Sequence, residues 1–377
     1  MERLQRLAVD RVAIEGVEPE IDGGRFAVKR AEGEPLTVTA DIFSDGHEII
    51  AAALLTRGVE DAQWRETPFA FIANDRWGAT VRFDKPGPYR FTILAWRDTF
   101  ATWASDTRKK KDAGVDIALE MREGAILLDK AAQSGRGTKE QQKALKSLRD
   151  RIARLAAKGD GAGVYAAFEE EATIALLRDV GVREDLSSYG KEVPVWVDRE
   201  RAAFSSWYEL MPRSQSGDVN RHGTFDDVIA RLPDIREMGF DVLYFPPIHP
   251  IGKSNRKGKN NSVTAQEGEP GSPYAIGSAE GGHKDLHPQL GSFADFQRLV
   301  TRAADHGLEI AIDFAIQCSP DHPWIKQHPE WFDWRPDGSI KYAENPPKKY
   351  QDIVNVDFYR EGAIPSLWQE LLGVVLF

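Results

Sequence analysis

Apolar and polar residues alternate over residues 36–42: Leu36, Val38, Ala40 and Ile42 are separated by Thr37, Thr39 and Asp41, the period-two pattern of a half-buried strand. Ser44-Asp45-Gly46 marks a turn before the apolar run 49–55, so the two segments are expected to form a hairpin. Tyr89, Phe91 and Ile93 alternate with Arg90 and Thr92 after Pro86-Gly87-Pro88, another strand entered from a turn. Short strands punctuated by turns over residues 1–104 predict a β-sandwich.

The period then changes. No proline occurs from residue 89 to 193, and residues 108–180 are rich in Ala, Leu, Lys, Glu and Arg, which lose little side-chain freedom in a helix. Val115, Ala118, Met121, Ala125 and Leu128 form one stripe at helical spacing; Leu145, Leu148, Ile152 and Leu155 form a second, opened by a capping-box pattern from Thr138 to Gln141. Residues 105–188 are therefore expected to be a helical insertion of two or three packed helices. Their stripes serve either an internal core or an apolar face for a second subunit, and the basic run 108–111 is a solvated helix end. Proline returns at Pro194, and residues 195–198 form one more strand, so that 189–203 rejoins the sandwich.

From residue 204 strands and helices alternate. Residues 206–210, 241–245 and 308–314 are strands. Thr224 caps a helix with Val228, Leu232, Ile235 and Met238 inward, and Ser292, with Asp295 three positions on, caps another carrying Phe296, Leu299, Val300 and Ala303. This order predicts a parallel sheet. Helix-to-strand links are short, whereas long segments follow the second and third strands, as on the site-bearing face of a (β/α)₈ barrel. A doubly wound sheet would carry a glycine-rich turn directly after a strand, and none of the three has one. Residues 204–377 are read as the first three strands of an incomplete barrel. The helix begun at residue 366, with Leu367, Leu371 and Val374 at helical spacing, is still running at Phe377, so the chain is read as the N-terminal part of a longer protein.

A length of 377 residues fits two or three domains. With no apolar run long enough to span a bilayer and no charged-then-apolar leader, a cytoplasmic protein without a membrane partner is expected. The single cysteine, Cys318, excludes an intrachain disulfide framework and a thiolate zinc site. A net charge of −10 weighs against nucleic acid as partner. The local exception is Lys253, Arg256, Lys257 and Lys259, either a solvated loop or a seat for a small phosphate ligand.

Candidate chemistry falls on the strand ends and the two long loops. Asp313, closing the third strand, is a catalytic acid, a partner for an arginine, or a structural acceptor. Gln317 can hydrogen-bond a sugar hydroxyl through both its carbonyl and its amide, or be tied to loop backbone. Lys257, Lys348 and Tyr350 can neutralise and hydrogen-bond a phosphate. Tyr274, Trp324, Trp331 and Trp334 can stack on sugar faces or fill loop core. His283 and His287 stand four apart, but the intervening Lys284-Asp285-Leu286 lacks the glutamate of a metalloprotease helix, and no metal or other cofactor is expected. Cys318 with His322 lacks a third orienting group for nucleophilic catalysis.

Six ordered motifs carry a resemblance over nearly the whole chain: WYELMPRS (207–214), VLYFPPIHPIG (242–252), KGKNN (257–261), GSPYAIGS (271–278), QCSPDHPW (317–324) and NPPKKYQD (345–352). They closely resemble the α-1,4-glucan:maltose-1-phosphate maltosyltransferases, of the α-amylase superfamily of glycoside hydrolases. That resemblance implies metal-independent, configuration-retaining transfer of maltosyl units from α-maltose 1-phosphate to the non-reducing end of an α-1,4-glucan, with release of phosphate, in glycogen or α-glucan synthesis. It implies that Lys257, Gln317 and Asp352 bind the donor with Tyr274 among the substrate contacts, that Lys348 and Tyr350 meet the departing phosphate, and that Asp313 supports the active centre. Gln317-Cys318 stands where many amylases have Asn-His, which favours the transferase branch. The nucleophile and the acid/base are expected beyond Phe377, so the chain alone is expected to be inactive, and the helical insertion is expected to help form a homodimer. The competing readings are another α-amylase-superfamily hydrolase or branching enzyme, and a non-catalytic α-glucan-binding protein.

Overall fold

The computed structural model describes residues 11–377, and the chain divides after Ala203 into two compact units. In the first, strands β1 (Val12–Glu18), β2 (Val28–Ala31), β3 (Pro35–Ser44), β4 (Ile50–Gly58), β5 (Arg65–Pro68), β6 (Ala70–Ala73), β7 (Arg76–Arg82) and β8 (Gly87–Asp98) precede a helical block. Two strands follow that block, β9 (Arg183–Ser188) and β10 (Val193–Asp198). One sheet has the order β1-β3-β7-β6; the other runs β2-β10-β8-β4-β5, with β9 added to β8. Leu36, Val38, Ala40 and Ile42 of β3 share one core with Leu54 of β4, Phe91 and Ile93 of β8, and Val193, Val195 and Val197 of β10.

The hairpin expected at Ser44-Asp45-Gly46 does not form. β3 pairs with β1 and β7, whereas β4 pairs with β5 and β8, so the turn carries the chain from one sheet to the other. Both strands have an apolar face to bury; placed in opposite layers, those faces meet across the core, which side-by-side pairing would not achieve.

Between β8 and β9 lie α1 (Thr99–Asp112), α2 (Ala118–Gln133), α3 (Lys139–Ala157), α4 (Gly161–Glu169) and α5 (Glu171–Val180), more helices than the two stripes indicated. Asp98 caps α1 by accepting the Ala101 N–H at 2.9 Å, and the Thr138/Gln141 capping box opens α3. Met121, Leu128, Leu145, Leu148 and Ile152 are buried in one core with Phe100, Phe168 and Leu177. Val115 is not part of that stripe: it lies in the α1–α2 link and is 53% exposed.

The second unit is built on three parallel strands, β11 (Trp207–Glu209), β12 (Val242–Phe245) and β13 (Glu309–Ile312), in that order. Trp207 aligns with Val242, and Val242 with Glu309. Helices α6 (Phe225–Ile229), α7 (Leu232–Glu237) and α8 (Phe293–Asp305) pack Phe225, Val228, Leu232, Ile235, Leu299 and Ala303 against Leu243 and Phe245 of β12. Capping boxes at Thr224/Asp227 and Ser292/Asp295 open α6 and α8. Met238 does not face inward as expected; it is 53% exposed, because α7 ends one residue earlier and Met238 is its C-cap.

The segment after β13 contains strands β14 (Gln317–Cys318), β15 (Tyr342–Asn345) and β16 (Lys348–Asn355), a small antiparallel sheet in the order β14-β16-β15. It packs with α9 (Pro323–Gln327) and α10 (Ser366–Val375) around Trp331, Phe332, Val354, Leu367 and Leu371. Among the described residues no helix is long and apolar enough to cross a membrane.

Candidate active site

The parallel register brings polar groups together where the strands end. Glu209 of β11 aligns with Tyr244 of β12, and the Asp313 N–H donates to the Phe245 carbonyl at 2.9 Å, which fixes Asp313 just past β13. The phenols of Tyr244 and Tyr274 lie beside the Asp313 carboxyl group; both are pushed above the ordinary tyrosine value, first by burial and then by that neighbouring carboxyl, with Glu209 adding repulsion. Asp313 thus stands at the end of a strand, flanked by two neutral phenols.

The second cluster forms where the small sheet meets the loop after β12. Ala343 pairs with Tyr350, but its neighbour Tyr342 pairs with Val354, so Gln351, Asp352 and Ile353 stand outside the ladder with β15 as a bulge. Asp352 is only 2% exposed, and its Oδ1 has no hydrogen-bond partner. Burial raises its pKa, and the Lys257 ammonium is the charge that opposes the rise. A buried carboxylate oxygen without a donor is costly unless a ligand supplies one.

The structure sorts the basic cluster by use. Arg256 spends its guanidinium on its own loop, donating to the carbonyls of Gly252 and Ile251, both at 2.8 Å, and Glu269 at 3.2 Å. Lys253 pairs with Glu280 at 3.6 Å, and Lys257 is the cation whose charge acts on Asp352. Gln317 aligns with Asn355 at one end of β16, whereas Lys348 stands exposed at the hairpin tip opposite Asn345. The seven residue steps from Lys348 to Asn355 span at most about 23 Å of extended strand. Gln317 and Lys348 therefore stand at opposite ends of β16, one paired to it and one within it, with the positions of Tyr350 and Asp352 between. Of the aromatic candidates, Tyr274 reaches Asp313, while Trp324 and Trp331 are core residues of the small sheet.

A chain of neutral histidines ties the loops together. His322 Nδ1 accepts the Trp324 N–H at 3.0 Å, so its Nε2 carries the proton and donates to His283 Nδ1 at 3.1 Å. His283 Nε2 in turn donates to the Ala315 carbonyl at 2.9 Å. Burial lowers the pKa of His283 to about 4 and of His322 to about 3. His287 turns elsewhere and stacks on His222 with ring centroids 5.0 Å apart. Among the described residues no group of three or more His, Cys, Asp or Glu is placed to hold a metal ion.

Residues 10–199 match the family model described as alpha-1,4-glucan:maltose-1-phosphate maltosyltransferase, domain N/S. The chain belongs to this maltosyltransferase family. A relative of that name from Cereibacter sphaeroides is 55% identical over 373 residues, covering 99% of this chain and 61% of the relative. Another, from Pseudomonas aeruginosa, is 52% identical over 366 residues, 97% of this chain and 54% of the relative. The chain thus spans little more than half the length of these relatives. A solved alpha-amylase from Lactobacillus plantarum superposes on 46% of this chain and 35% of its own at 31% identity, with a TM-score of 0.37, too loose to carry an argument.

Within this chain, sequence reasoning missed Tyr244, the His322–His283 pair and Asp321. Tyr244 reads as one more large residue of an apolar strand, although a phenol at a strand's C-terminal end was the available signal. The histidines come from segments far apart in the chain, and the bonding partners of Asp321 are mostly backbone N–H groups, which carry no sequence signature.

Proposed function

We propose that this chain forms the donor-holding half of a maltosyltransferase site, in a protein that transfers maltosyl units from α-maltose 1-phosphate to the non-reducing end of an α-1,4-glucan with retention of configuration. The observation that carries the reading is the buried Asp352 carboxyl group, with one oxygen unpartnered and the Lys257 charge acting on it. A sugar hydroxyl is the donor such an oxygen lacks. Gln317 offers both an acceptor and donors to the same sugar, and Tyr274 adds an aromatic wall beside Asp313. Lys348 and Tyr350 meet the phosphate, where a cation and a phenol stabilise the charge that develops as the glycosidic bond breaks.

Retention requires a nucleophilic carboxylate and an acid/base carboxylate about 5 Å apart across that bond. We assign both to residues outside this chain, on further strands of a (β/α)₈ barrel of which β11–β13 are the first three. Asp313 is the supporting carboxylate, not the nucleophile. The protein is cytoplasmic and homodimeric in this reading, and no cofactor enters the reaction. The exposed Leu119 and Ile126, two turns apart on α2, suit a subunit contact through the helical insertion. Purified residues 1–377 should release no phosphate from α-maltose 1-phosphate and glycogen; measurable release would overturn the division of the site proposed here.

A further inference from the structure

The loop that carries Lys257 is held at its start by one side chain from the loop after β13. The Asp321 carboxylate accepts the backbone N–H of Lys253 at 2.6 Å and of Ser254 at 2.7 Å on one oxygen, and the Ser254 hydroxyl at 2.6 Å on the other. Burial opposes ionisation of Asp321, but the bonds from Ser254 and Lys253 outweigh it and hold the carboxyl below its ordinary value. Close approach of the two loops is enforced at Gly252, where a Cβ would lie 2.4 Å from Ser319 and 3.3 Å from Asp321 Oδ2. The loop after β13 is itself anchored: the Ser319 N–H donates to the Ile276 carbonyl at 2.6 Å, and its hydroxyl to the Gly277 carbonyl at 2.5 Å. A second tether follows, with the Asn255 side-chain amide donating to the Gln351 carbonyl at 3.2 Å, next to Asp352.

We propose that Asp321 is a positioning residue for donor binding: by stapling Lys253 and Ser254 it sets the path of the loop so that Lys257 faces the Asp352 bulge. Asp321 touches no donor atom in this account; it acts through Lys257. Three charge-assisted hydrogen bonds on one carboxylate fix the loop's entry, the Asn255 amide fixes its passage over β16, and Lys257 lies two residues beyond that amide. Without the staple, the Lys257 ammonium is free to leave Asp352 for solvent.

This inference rests on the donor-binding reading, and the test separates the two. Equilibrium binding of α-maltose 1-phosphate to the 377-residue chain is measured for the wild type, D321A, D321N, K257A and the D321A/K257A pair. D321A should weaken binding roughly tenfold on the scale of lost charge-assisted bonds. D321N keeps an acceptor for the two N–H groups and should stay within a few-fold of wild type. In the K257A background D321A should add almost nothing, whereas a merely structural role would give additive losses. Additive losses, or wild-type affinity in D321A, overturn the proposal. If D321A does not fold, S254A, which removes only the hydroxyl bond, carries the same cycle with K257A. Hydrogen exchange on the free chain is independent of any ligand: D321A should speed exchange of the Lys253 and Ser254 amides, and unchanged exchange there overturns the staple. A wild-type chain that fails to bind α-maltose 1-phosphate, with those amides still deprotected in D321A, sinks the donor-binding reading and leaves the staple standing.

Discussion

Acid should unfold the second unit through its buried histidine pair. In the folded chain His283 and His322 are 4% and 2% exposed and neutral, with pKa values of about 4 and about 3, below an unfolded value near 6.5. Burial is the main cause for both. His249, itself lowered by burial, adds repulsion, and Glu370 partly offsets it at His283. A folded pKa below the unfolded one means that the unfolded chain binds more protons between the two values. The contribution is therefore fully present above about pH 6.5 and is lost as pH falls toward the folded values. For His283 alone the depression corresponds to about 3 kcal/mol, a large share of a domain's net stability. Because His322 donates to His283, the first proton entering the pair breaks the relay and leaves the two rings facing each other as donors. Trp324 stacks on His283 with centroids 4.6 Å apart and planes 7° from parallel, so its fluorescence reports on the site. Urea unfolding followed by tryptophan fluorescence from pH 7.5 to 4.5 should show stability falling below pH 6.5, and H283N should flatten the fall. Stability that stays level to pH 4.5 in the wild type, or imidazole NMR signals of both residues titrating near 6.5, would refute the reasoning.

Gly277 has φ +102°, and a Cβ there would lie 2.2 Å from His322 Cδ2; G277A should therefore cost more than about 2 kcal/mol, and an unchanged melting temperature would contradict the packing described. Cys318 is buried in the core of the small sheet with its thiol pushed up by burial, so it should resist a thiol reagent at pH 8 until the chain unfolds; stoichiometric labelling of the native protein within minutes would show the site to be open.

Local chemistry was legible in the sequence and long-range pairing was not. The alternation from Leu36 to Ile42 gave β3 and its buried face, and Thr138, Thr224 and Ser292 announced helix starts, because a capping box is completed within four residues. The partner of β3 could not be read, since the same alternation suits a hairpin or a crossing between sheets. β9 escaped notice because Arg183–Ser188 has little apolar character and is a strand by virtue of pairing with β8. The sheet β14–β16 was hidden for a similar reason: Gln317 and Cys318 pair with residues more than thirty positions away.

At the site, an acid ending a strand marked Asp313. The burial of Asp352, by contrast, depends on a bulge set by the register slip between Tyr342 and Ala343, and no local pattern encodes that slip. Lys257 was one of four basic residues in a loop until packing assigned Arg256 to loop carbonyls and Lys253 to Glu280, with Lys257 the cation whose charge acts on Asp352.

The central claim, that this chain holds a phosphorylated donor sugar, is tested most directly by calorimetric titration of residues 1–377 with α-maltose 1-phosphate and, separately, with maltose. The account predicts saturable binding of the phosphate ester, at least about tenfold tighter than maltose on the strength of charge-assisted contacts to Lys348 and Lys257, and loss of that binding in D352A. Equal affinity for the two sugars, or full binding of the ester by D352A, would contradict it.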